Sequence, residues 1–98
     1  MNFEFHPEAE EEFIEQAARY ESEVPGLGER FGREVNRVIE LLLENPRIGA
    51  SVDENLRHFV LRRFPHSIIY AVVADTLIIV AVAHGSRKPG YWRSRASR

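Results

Sequence analysis

Two histidines, His66 and His84, and a run of cations, Arg62, Arg63, Arg87, Lys88, Arg93 and Arg95, crowd the last third of this 98-residue chain. Tyr91 and Trp92 lie among them, Arg98 closes the run, and no carboxylate follows Asp75. Imidazole trades protons near neutral pH, and guanidinium forks bind the paired oxygens of phosphates and carboxylates. Such a set suits proton transfer at a phosphodiester, or docking on an acidic partner. Tyr91 and Trp92 add a stacking option, with rings on an unpaired base and Arg93 and Arg95 on its phosphates. The opposing reading, preferred for Trp92, is that its large apolar ring folds back over the sheet as core; Tyr91 stays open between the two. A metal is not expected, because no third ligand accompanies His66 and His84, which read as hydrogen-bonding strand-end residues. His6 and His58 carry no signal beyond structure.

The elements that must hold these groups follow from periodicity. Asn2 to Phe5 reads as a short strand with Phe3 and Phe5 on one face. Pro7 suits the first turn of a helix, and Phe13, Ala17, Tyr20 and Val24 recur at helical spacing until Pro25-Gly26 breaks it. The carboxylates between Glu8 and Glu15 read as a solvated face at the positive helix end, not as a catalytic pair. Phe31, Val35, Val38 and Leu42 form the stripe of a second helix, which Asn45-Pro46 stops. A short link between two helices predicts an antiparallel hairpin. Arg47 to Asn55 reads as a loop in which Gly49 and Asp53 are turn residues only. Leu56 to Arg63, Ser67 to Val73 and Thr76 to Ala83 then read as three strands in meander order. The fold class is α+β with the order β-α-α-β-β-β, one domain over residues 1–98, the helix hairpin packed on the sheet.

Meander geometry brings the ends of the chemistry-bearing strands together. Antiparallel neighbours place Arg62, Arg63, His66, His84, Arg87 and Lys88 at one end of the sheet. Register decides more. A two-residue loop at Ala74-Asp75 pairs His66 with Ala83 and sends the histidines to opposite faces; a three-residue loop opposes them directly. Only the second arrangement supports a paired acid and base, and pattern alone leaves both open.

Composition is ordinary for a globular domain, 44% apolar and 29% charged. No cysteine is present, which excludes disulfides and thiolate metal sites and fits a reducing cytoplasm. Met1 to Phe5 has no basic start, so no signal peptide is read, and Asp75 interrupts the one long apolar run, so no membrane span is expected. The net charge of −2 hides an asymmetry. Twelve acids face five arginines in the first fifty residues, and three acids face eight cations in the rest. The basic half is expected to attract polyanions; the competing reading is that the two halves neutralise each other internally.

The element order, the helix-ending LLLENP, FPHSIIY at 64–70 and HGSRKPGYW at 84–92 resemble the RelE/ParE toxins of bacterial type II toxin–antitoxin modules, the plasmid-stabilisation type, over essentially the whole chain. The resemblance implies a cytoplasmic toxin with no cofactor, a cognate antitoxin, contact with operator DNA only through that antitoxin, and no membrane. ParE-like relatives arrest growth by inhibiting DNA gyrase. RelE-like relatives are metal-independent endoribonucleases that cut messenger RNA on the ribosome. In this match Arg87 takes the place of the arginine at the last strand's exit, and Tyr91 that of the ribonuclease tyrosine. Where many relatives carry Tyr-Arg after Phe-Pro, this chain has His66-Ser67, so an arginine suited to a phosphorane transition state is missing. Arg47 to Asn55 also lacks the lysines of the ribonuclease branch, although His66 can stand in as an acid–base group. The reading is therefore gyrase-type inhibition first. The alternatives are a nuclease working through His66, His84, Arg87, Lys88 and Tyr91, or an inactive antitoxin-binding module. Target or antitoxin contact is expected at Arg62, Arg63, Arg87, Lys88, Tyr91, Trp92 and Arg93, and an acidic peptide that folds on binding suits that rim.

Overall fold

The computed structural model describes residues 1–96; Arg98, part of the basic tail in sequence, lies outside the described residues. Strand β1 (Asn2–Phe5) leads into helix α1 (Pro7–Glu23) through His6, whose Nδ1 accepts a hydrogen bond from the Glu8 N–H at 3.1 Å. Pro7 occupies the first turn, where its missing N–H removes no helical bond, and Glu8 and Glu10 sit at the positive end of the dipole. Gly26, at φ 88°, turns the chain through the left-handed region that glycine enters freely. The Glu21 carboxylate then accepts from the N–H groups of Gly26 and Gly28 at 2.8 and 3.0 Å, fastening the hairpin. Helix α2 (Leu27–Glu44) buries the expected stripe of Phe31, Val35, Val38 and Leu42 completely. Each such side chain contributes about 1.5–3 kcal/mol by leaving water.

The sheet comprises β1 with β2 (Ala50–Ser51), β3 (Arg57–Val60), β4 (His66–Val73) and β5 (Thr76–His84), in the order β1-β5-β4-β3-β2. The meander pairs antiparallel, and β1 runs parallel to β5 at the edge. The α+β class and the order of the main elements agree with the sequence reading. Three boundaries differ. The 47–55 connection contains β2; β3 stops at Val60, leaving Arg62 and Arg63 in a turn; and a short helix α3 (Arg93–Ala96) closes the described chain. Gly49 is also more than a turn residue. Its N–H donates to the Tyr70 hydroxyl at 2.9 Å, and that hydroxyl donates to Pro46 O at 2.8 Å, so the loop packs on a ring that leaves no space for a Cβ.

Both faces of the sheet are covered. Helices α1 and α2 lie on Ile68, Tyr70, Leu77, Ile79 and Val82. The opposite face holds Leu56, Ile69, Val80 and Ala81 under Trp92, so the tail does fold back as core. Trp92 is 7% exposed. Among the described residues no helix is long and apolar enough to cross a membrane.

Register resolves in a way that neither simple alternative contained. The loop is two residues long and pairs Val73 with Thr76, yet His66 pairs with His84. A β-bulge reconciles the two: Ile69 faces Ala81 and Tyr70 faces Ile79, so Val80 is the extra residue. Val80 and Ala81 both pack on the Trp92 side, and Val82 and His84 thereby turn back toward the helices.

Candidate functional site

Strand β4 begins and β5 ends at one corner, and the turn before β4 touches the departing tail, since Gly85 N–H donates to Pro65 O at 2.7 Å. The side chains at this corner do not form one cluster. They divide among three cavities.

The first pocket lies between α1 and the end of β5, about 250 Å³ in volume, with His66, His84, Arg87, Arg19 and Glu12 around it. His66 is 2% exposed, edge-on to His84 at 4.9 Å between centroids and tilted against Phe31 at 5.0 Å. Neither ring nitrogen of His66 has a hydrogen-bond partner among the described residues. Burial, with help from the neighbouring His84 and against the pull of Glu12, depresses its pKa to about 4. At neutral pH it is an uncharged, enclosed ring. His84 Nδ1 accepts from the Ser86 N–H at 2.9 Å, which leaves Nε2 to carry the proton of the neutral form.

Glu12 organises the same corner, and nothing in its sequence context marked it out from the acidic run. It is not a solvated face residue: its side chain is 16% exposed and bonded on every side. The Val82 N–H donates to Oε1 at 3.0 Å, and the Tyr91 hydroxyl to Oε2 at 2.7 Å. Arg95 adds a two-pronged bond at 3.0 and 2.8 Å and also donates to Val80 O at 3.0 Å. The cause is the length of β1. Pro7 turns the chain into α1 just after His6 N–H has bonded Ile79 O, so Val80 O and Val82 N–H are left at the open edge of β5. The Glu12–Arg95 pair replaces the missing strand. Burial raises the Glu12 pKa, but the bonds from Arg95, Tyr91 and Val82 outweigh it and hold the carboxyl below its ordinary value.

The Tyr91 hydroxyl is therefore engaged within the chain, although the half-buried residue still lines the cavity beside Trp92. Burial first, then its bond to Glu12, pushes its phenol well above the usual range, and the Arg87 guanidinium lies 3.8 Å from its ring centre. Arg87 itself is half exposed and only 4.0 Å from Glu12. Arg93 pairs with Asp53 at 3.1 Å, and Arg95 also meets Glu8 at 3.2 Å. Much of the tail's positive charge is thus answered within the chain. Lys88, Trp92 and Arg93 line a second cavity on the far face, which shares only His84 and Arg87 with the first. Arg62 and Arg63 line a third, against α2.

Two comparisons bear on this geometry. A model of the ParE toxin of the type II toxin–antitoxin system parDE matches residues 3–89. A solved chromosomal ParDE toxin–antitoxin system from P. aeruginosa superposes with a TM-score of 0.74 over 86% of this chain and 95% of that one, at 17% identity, a likeness of fold. Among curated proteins none matches.

Proposed function

Because the chain belongs to the ParE toxin family of type II toxin–antitoxin systems, we propose that it arrests bacterial growth in the cytoplasm by binding a protein target, with DNA gyrase as the precedent, and that a cognate antitoxin neutralises it. The observation that carries the first half is the state of the tyrosine that the nuclease reading requires. Tyr91 spends its hydroxyl on Glu12 and its ring face on Arg87. A phenol with a raised pKa, bonded to a carboxylate, is poorly placed to exchange a proton with RNA. His66, the second candidate, is uncharged near neutral pH and almost wholly enclosed. Arg87 remains half exposed beside His84, available to an acidic surface.

The antitoxin half rests on the family and on the charge of the corner. Arg87, Lys88 and Arg93 border a cavity whose floor includes Ile69 and Trp92, a mixture that suits an acidic peptide with apolar anchors. Cell-free translation with mapping of messenger 5′ ends tests the choice of mechanism. Uncut messenger is the expected result; codon-spaced cuts lost in Arg87→Ala would establish the nuclease instead.

A further inference from the structure

The third cavity has no part in that reading and is built differently. It measures about 550 Å³ and is lined by Arg30, Arg33 and Arg37 of α2 and by Arg62 and Arg63 of the β3–β4 turn, with one carboxylate, Glu34. Glu34 is already committed. Arg37 donates to both its oxygens at 2.8 Å, and the Arg62 backbone N–H donates at 2.6 Å. Among the described residues, the guanidinium groups of Arg30, Arg62 and Arg63 make no hydrogen bond or ion pair. Arg63 also adopts φ 66°, a left-handed conformation uncommon for a residue with a side chain. Strain of this kind persists where surrounding structure over-determines it, and here it sits in a turn that brings two arginines against three others.

We propose that this cavity binds an anion carrying adjacent phosphate groups, either a nucleoside di- or triphosphate or an inorganic polyphosphate. Arg37 is spent on Glu34 and Arg33 pairs with Glu29 at 3.6 Å, but the three remaining guanidinium groups of Arg30, Arg62 and Arg63 concentrate positive charge in a concave space, and linked phosphates concentrate negative charge equally closely. An extended acidic peptide is a poorer match, since carboxylates on one face of a strand recur only about every 7 Å. A long nucleic-acid strand is also disfavoured. Glu40 and Glu44 continue the Arg30–Arg33–Arg37 stripe over the next turns of α2, so a strand following the helix meets like charge. Leu27 and Phe64 supply an apolar wall, and Phe64 is held by Phe31 and Tyr20 at 5.2 and 5.3 Å between ring centres. That wall is where a nucleoside would rest.

Calorimetric titration of the full chain at about 0.15 M salt, where diffuse surface attraction is screened, tests this. Tripolyphosphate and ATP should bind at least about tenfold tighter than orthophosphate or AMP. The double variant Arg30→Gln/Arg62→Gln should lose about tenfold or more, since charge-assisted bonds are the strong ones, while Arg47→Gln should keep wild-type affinity. ATP equal to tripolyphosphate assigns the phosphate chain alone, and ATP tighter adds the nucleoside; both support the site. Backbone amide shifts of the unsubstituted protein, centred on Arg62 to Phe64 when tripolyphosphate is added, give the same answer without variants. No oligophosphate binding, binding of only a deoxyoligonucleotide or a polyglutamate peptide, or undiminished affinity in the double variant would overturn it.

Discussion

A single carboxylate decides what the basic tail does. Glu12 joins Tyr91, Arg95 and the Val82 amide, and an ion pair this enclosed is costly to break from one side because the other charge stays behind. We expect Glu12→Gln to destabilise the fold by about 2–3 kcal/mol, below the fully buried range because both partners keep some solvent contact; urea unfolding measures it. Tyr91→Phe and Arg87→Ala form an informative pair in growth assays on induced cells. Tyr91→Phe should lose about 1–2 kcal/mol of stability and keep its toxicity, whereas Arg87→Ala should weaken toxicity with stability nearly unchanged. The opposite pattern would favour a phenol acting on RNA. His66 gives a pH signature. Its folded-state pKa of about 4 lies below the ordinary 6.5, so the unfolded chain takes up the proton first, and stability falls as pH drops from 6.5 through 4. His66→Phe should flatten that decline and be the more stable form at pH 5, as urea midpoints at pH 7 and pH 5 would register.

At the scale of elements, the bulge at Val80 is the decisive feature. It places His84 opposite His66, turns two successive residues toward Trp92, and leaves the β5 edge to a side-chain pair. Deleting Val80 should remove the bulge and leave His84 opposite His66, because Tyr70–Ile79 and Ile69–Ala81 then become consecutive pairs; nuclear Overhauser contacts between the two imidazoles should persist, and their loss would show that Val80 is not the extra residue. The helix hairpin, the meander and the stripe on α2 were legible from spacing, because apolar period and proline or glycine breaks are local signals. The bulge was not. Ile78-Ile79-Val80-Ala81-Val82 is apolar throughout, so no polar residue marks where alternation slips. Spacing puts Arg62 and Arg63 at a strand end for a related reason: alternation continues through Leu61, while the chain has already turned toward Glu34.

Across the whole molecule, the acidic first half and basic second half do neutralise each other in part, through Glu12 and Glu8 on Arg95, while Asp53 answers Arg93 within the second half. The candidate site was legible as residue types near one sheet corner, but not as contacts, because Glu12 and Arg95 are eighty-three residues apart and no local pattern links them. The corner that sequence joined into one positive pole divides among three cavities, and the nuclease candidates divide with it: His66 is enclosed beside α1, Lys88 lies on the far face, and the Tyr91 hydroxyl is held by Glu12. That division favours the proposed inhibition of a protein over cleavage of RNA. DNA supercoiling by purified gyrase, titrated with this protein, is the sharpest test of that proposal: supercoiling should stop as the protein is added, and gyrase running undisturbed at concentrations that arrest growth would overturn it.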